Sequence, residues 1–100
     1  MSEYFWPEDE ELGIRARRAW SVTVAALPIG TRVTGTVIGR QPFGVFIRID
    51  QAPDAVGLIR ATAVPPDAQL PPRDAPIVGE VLWHTEHNWQ VIVKPPGCQG

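Results

Sequence analysis

Two runs of alternating residues constrain this chain more than anything else in it. Val33, Gly35 and Val37 alternate with Arg32, Thr34 and Thr36, and soon afterwards Val45, Ile47 and Ile49 alternate with Phe46 and Arg48. Successive side chains of a strand point to opposite faces, so each run reads as a strand with one face toward a core. The second run carries an oddity: its one aromatic, Phe46, lies on the face opposite the aliphatic set. Gln41-Pro42 makes the turn between the two. Gln51 to Ala55, with Pro53 and Asp54, reads as a loop, and Val56 to Arg60 as a third short strand. Five prolines between Ala61 and Pro76 exclude a long regular helix there and predict an irregular crossover with room for one helical turn. Ile77 to Trp83 and Trp89 to Val93 form a fourth and fifth strand, joined by His84-Thr85-Glu86-His87-Asn88, a hairpin-length connection.

A hundred residues suffice for one hydrophobic core, and 11 prolines with 9 glycines favour short elements and many turns. Five short strands with a long connection between the third and fourth predict an all-β fold: a five-stranded Greek-key barrel of the OB type. Closure removes the exposed edges that an open sheet of this size would present. Ahead of the barrel, Pro7 and the acids Glu8 to Glu11 look like a helix start. Leu12, Ala16, Ala19, Trp20, Thr23 and Leu27 then share one helical face, and Glu11 and Arg15 form an i, i+4 pair, predicting an N-terminal helix over 8–26. The alternation Trp20, Val22, Val24 also fits a strand; Pro28 and Gly30 end either one. The expected organisation is an acidic, helical extension at 1–28, the barrel at 29–94 and a mobile tail at 95–100.

The single cysteine, Cys98, has no internal disulfide partner, the N-terminus has neither a basic start nor an apolar run, and no stretch approaches 18 apolar residues. The expectation is a soluble cytoplasmic protein with no membrane contact. The net charge of −2 conceals a segregation: residues 1–14 carry five acids and no base, whereas residues 15–64 carry seven arginines against Asp50 and Asp54. A pI near 5.6 argues against purely electrostatic binding of duplex DNA but leaves room for a local basic face. Eight of the nine basic residues are arginine, which both pairs with phosphate and stacks on flat rings.

Three blocks together form a recognisable pattern: Gly30-Thr31-Arg32-Val33-Thr34-Gly35-Thr36-Val37, then Phe43-Gly44-Val45-Phe46-Ile47-Arg48-Ile49, then Gly57-Leu58-Ile59-Arg60. In order and spacing they resemble the ribosomal protein S1 RNA-binding domain. The resemblance implies the OB fold and binding of single-stranded RNA. It places Phe43 and Phe46 at the two outer-face positions that stack on bases in that family, and Arg60 where an RNA-contacting histidine usually stands. The family's last block is poorly met. Gly79-Glu80 can stand for its Gly-Asp, but Val81 to Val91 lacks both the aspartate and the arginine.

The expected nucleic-acid-binding set is therefore Phe43, Phe46, Arg48 and Arg60, assisted by His84 and Asn88 from the hairpin. Arg40 and Arg32 would extend a basic face beside the phenylalanines. Two readings of the phenylalanines stay open: a stacking platform, or a surface covered by the N-terminal helix, whose Leu12, Trp20 and Leu27 need an apolar neighbour. Trp83 and Trp89, flanking the hairpin, read as a cross-strand or core pair, and Arg15, Arg17 and Arg18 as a solvated face balanced by Glu8 to Glu11. His84, Glu86 and His87 lack the further ligand a zinc site needs. With no nucleophile-base pair, phosphate-cradling loop or paired catalytic carboxylates, neither enzymatic activity nor a cofactor is expected. The competing function is a protein-interaction or dimerisation module without RNA binding, motivated by the acidic pI, the incomplete last block and four tryptophans.

Overall fold

The computed structural model describes residues 4–64 and 69–95. Within them the chain forms helices α1 (Leu12–Arg18) and α2 (Trp20–Ala26), and strands β1 (Arg32–Gln41), β2 (Gly44–Ile49) and β3 (Ala52–Arg60). A 3-10 turn at Ala61–Ala63 then leads across to β4 (Pro76–Thr85) and β5 (Gln90–Lys94). The sheet closes in the order β1-β2-β3-β5-β4, antiparallel throughout except where β3 runs parallel to β5. This is the five-stranded all-β barrel that the alternation predicts. Residues 65–68 of the crossover, and 96–100 of the tail expected to be mobile, with Cys98, lie outside the described residues. No described helix is long and apolar enough to cross a membrane.

Alternation fills the barrel from within. Val33 and Val37 of β1, Val45, Ile47 and Ile49 of β2, and Val91 and Val93 of β5 are fully enclosed. Gly35 lets β1 and β2 cross closely, for a Cβ there would stand 2.1 Å from the Arg48 carbonyl oxygen. β3 begins at Ala52, inside the segment expected to be loop, because Ile49 already pairs with Ala52 across a register shift. Such an irregularity tolerates Pro53, which has no N–H to give to a regular ladder.

The N-terminal helix is real but shorter than 8–26 and bent. Asp9 turns the chain first: its carboxylate accepts from the Glu11 N–H at 3.1 Å and its carbonyl from the Leu12 N–H at 3.2 Å. The acidic run therefore precedes the helix instead of forming its first turn. At Ala19 the backbone departs from helical angles (φ −90°, ψ 7°), dividing α1 from α2. The two halves bury their shared face against different partners. Leu12 and Ala16 of α1 pack on Phe46, Val56, Leu58 and Ile92, on the outer wall of β2, β3 and β5. Trp20 of α2 and Leu27 just beyond it pack against the barrel interior. The fold thus has a second apolar layer outside the barrel, and Phe46 belongs to it.

Candidate nucleic-acid interface

Phe43 and Phe46 are equivalent in the sequence motif and different in the structure. Phe43 projects from the turn between β1 and β2 and is 50% exposed, whereas Phe46, on β2, is 6% exposed. The two rings meet edge to face at 5.8 Å. Expecting both as base-stacking residues is therefore corrected for Phe46: α1 and the preceding segment enclose its ring, so it has no open face. Helix docking, the alternative left open by the sequence, occurs at Phe46 and spares Phe43.

Residues 4–10 form a strap along β1. Pairing of β1 with β4 ends at Thr36 opposite Pro76, which frees the far half of that β1 edge. Phe5 occupies part of it: Phe5 N–H donates to the Arg40 carbonyl and Arg40 N–H to the Phe5 carbonyl, both at 2.8 Å. Pro7 lies on Gly39, where a Cβ would stand 2.7 Å from the proline Cδ. From the crossover, Arg73 sits 4.0 Å over the Phe5 ring and donates to Glu8 at 2.8 Å. Between these fixed points the Trp6 ring lies over Phe46 at 6.0 Å and beside Phe43 at 6.4 Å, yet it remains 63% exposed. The S1-type blocks give no sign of Trp6. The available signal was the aromatic run Tyr4-Phe5-Trp6 outside the barrel motif.

The arginines do not form one continuous face. Arg60 lies opposite Gly44, on the same outer side of the sheet as Phe46, and the Ala61 N–H donates to the Phe43 carbonyl at 2.8 Å. Gly44 (φ 151°) is forced by this close approach, since a Cβ would stand 2.2 Å from the Ile59 carbonyl oxygen. Arg60 is exposed, and its neighbour across the sheet carries no side chain. Arg48 pairs with Val56, four residues down β3 from Arg60, about 13 Å away at strand spacing. It lines a groove with Arg73 and the acids Glu8, Asp9, Asp50 and Asp74, a setting that disfavours phosphate. Arg40 is half-buried where its backbone pairs with Phe5. Arg32 lies at the other end of β1, opposite Glu80.

The hairpin residues also move. His84 lies within β4 rather than in the loop: its Nε2–H donates to the Leu27 carbonyl at 2.6 Å, and its ring meets Trp20 edge-on at 6.1 Å. Since a carbonyl only accepts, the proton is on Nε2. His84 therefore secures the end of α2 rather than joining Phe43. Asn88, in the turn, bonds to Thr85 and donates to Gln90 Oε1 at 3.2 Å, and it lines a shallow groove beside α1 together with Trp6 and Phe46. Trp83 and Trp89 do not make the expected pair. A register shift between Val81 and Trp83 leaves Leu82 and Trp83 both exposed, while Trp89 (φ 54°) lies under the Arg17 guanidinium at 5.0 Å. Arg15 bridges Asp9 and Asp54 instead of Glu11, tying strap, helix and β3 together. The Arg15 hydrogen bond holds the Asp9 carboxyl below the usual carboxylate range, and Asp9 in turn raises Arg15.

No protein-family model matches the sequence, and no curated protein matches it. Solved structures do match in shape. RNase R of Mycoplasma genitalium aligns over 78% of this chain with a TM-score of 0.66 and 16% identity. The same enzyme in complex with ribose-methylated single-stranded RNA gives 0.63 and 15% over 75%. GSP13 of Bacillus subtilis gives 0.58 and 20% over 69% of this chain and 55% of its own. The barrel is an OB fold, the shape these structures share with it. The chain spans only 15% and 14% of the two RNase R chains. On the outer wall of this OB barrel the exposed Phe43 ring stands 6.4 Å from the Trp6 ring, and the exposed Arg60 lies on the neighbouring strand opposite Gly44. Flat apolar faces beside a guanidinium suit stacking on bases and pairing with phosphate.

Proposed function

We propose that this protein binds single-stranded RNA, without catalysis and with little sequence preference, through the barrel surface around Phe43. The observation that carries the reading is Phe43 itself, half-exposed on an OB barrel, with the exposed Arg60 placed on the outer face opposite the adjacent Gly44. An apolar ring left in water, with an arginine on the neighbouring strand, offers a base and its phosphate what they require, and stacking tolerates any base because each has a π-face. The shape match to RNase R bound to single-stranded RNA supports the same ligand class. Arg60 supplies the phosphate contact, and Arg48, among its acids, does not. The contact count is small, so affinity is modest and its salt dependence shallow.

The test is titration of a labelled oligoribonucleotide at low and moderate salt with wild type, Phe43→Ala and Arg60→Ala. Loss of one stacked base weakens binding by about 1 to 3 kcal/mol. Loss of one phosphate contact flattens the slope of log K against log salt by about 0.7. Absence of binding by the wild type at any salt, or equal affinity in all three proteins, refutes the proposal.

A further inference from the structure

A large aromatic held open to solvent between two anchored neighbours is unusual, because apolar area left in water forgoes the stabilisation of burial. Trp6 is such a residue. Phe5 on one side is fixed by two backbone hydrogen bonds to Arg40 and by the Arg73 guanidinium over its ring. Pro7 on the other side is seated on Gly39. With both neighbours held, the indole has little freedom to withdraw, yet it stands 63% exposed, 6.4 Å from the Phe43 ring. Its inner side covers Phe46, the ring that the family pattern would have presented outward.

We infer that Trp6 takes over the outward stacking position that Phe46 has lost, so that Trp6 and Phe43 form the pair of rings on which successive bases of a single strand stack. This rests on the RNA-binding reading above and assigns it a second aromatic contact, supplied by the N-terminal strap rather than by the barrel. Three features favour a platform over a lid. The strap is tied by backbone bonds and by the Arg73–Glu8 ion pair, so lifting it would break several contacts at once. The indole leaves Phe43 half-exposed instead of covering it. Finally, the site beneath the indole is already filled by Phe46 and α1, so lifting it would uncover no vacant base position.

The experiment titrates labelled oligoadenylate and oligouridylate with the full chain and with Trp6→Leu, Trp6→Phe and Phe43→Ala. Far-ultraviolet circular dichroism and urea midpoints confirm that each variant is folded. Leucine keeps an apolar cover over Phe46 while removing the ring; phenylalanine keeps a ring. The expected result is a loss of about 5- to 150-fold for Trp6→Leu on both oligonucleotides, the effect of one stacked base. Trp6→Phe should retain most of the affinity. Wild-type binding with Trp6→Leu unchanged overturns the inference alone, and tighter binding by Trp6→Leu overturns it in favour of a lid. No binding by the wild type overturns the RNA reading and this inference with it.

Discussion

Replacing each phenylalanine of the second motif block by alanine separates the roles that the structure gives them. Phe46→Ala removes a ring that is 6% exposed and packed with Leu12, Ala16, Val56, Leu58 and Ile92. Truncating a buried phenylalanine costs about 3 to 5 kcal/mol, the lost transfer energy plus the cavity left behind. The roof of this cavity is α1, seven residues long, together with the strap, and both can settle inward. The loss should therefore fall at the lower end, about 3 kcal/mol. Phe43→Ala removes a ring that is 50% exposed and leaves no enclosed void. About half of the roughly 1.5 to 3 kcal/mol for full burial is lost, near 1 kcal/mol. Urea denaturation followed by far-ultraviolet circular dichroism should place Phe46→Ala well below Phe43→Ala, a gap of about 2 kcal/mol in a domain whose whole stability is of order 5 to 15 kcal/mol. Equal midpoints, or a larger loss at Phe43, would refute the claim that Phe46 belongs to a second core beneath α1.

A Cβ at Gly39 would meet the Pro7 ring at 2.7 Å and the Phe46 ring at 3.1 Å, two side chains that can yield as the strap lifts and the phenylalanine shifts, whereas one at Gly35 would meet a strand carbonyl at 2.1 Å, which cannot move away. Gly39→Ala should thus speed chymotryptic cleavage in residues 4–10 at a stability cost of about 1 to 3 kcal/mol, and Gly35→Ala should cost more; the reverse order in urea contradicts the packing described. The lowered Asp9 pKa gives stability that is present above the ordinary carboxylate range and is lost as pH falls through and below it, whereas Arg15, raised, stays charged throughout. The stability gap between wild type and Asp9→Asn should accordingly narrow toward the acid end of a pH 6 to 3 series, and a gap independent of pH argues against the tie. His84→Ala should cost about 1 kcal/mol through the lost bond to Leu27 while leaving RNA affinity unchanged. A selective loss of affinity would return His84 to the binding surface.

The barrel was legible because its cause is local. Alternation at β1 and β2, the glycines that permit close approach and the prolines of the crossover each act through the backbone near them. The helical face Leu12, Ala16, Thr23, Leu27 was legible for the same reason, and all four side chains are buried. The sequence carries a further signal: Ala55 to Ile59 and Val91 to Val93 are apolar on both faces, as strands covered on both sides are. Those runs pointed to a cover over the outer wall but did not name it.

Sequence periodicity sets the sheet, its inward face and the presence of an amphipathic helix, since it decides which side of an element is apolar. Which apolar surfaces meet depends on the packing of the whole chain. Docking of Leu12 and Ala16 on the outer wall turned Phe46 from a surface ring into a core residue, while leaving Phe43 in solvent. Pairing of Phe5 with the free edge of β1 carried Trp6, 37 residues upstream of Phe43 in the sequence, to a ring 6.4 Å away. Neither contact is encoded in local spacing. Both follow from how the chain satisfies an open strand edge and an uncovered apolar stripe, needs that exist only once the barrel has closed.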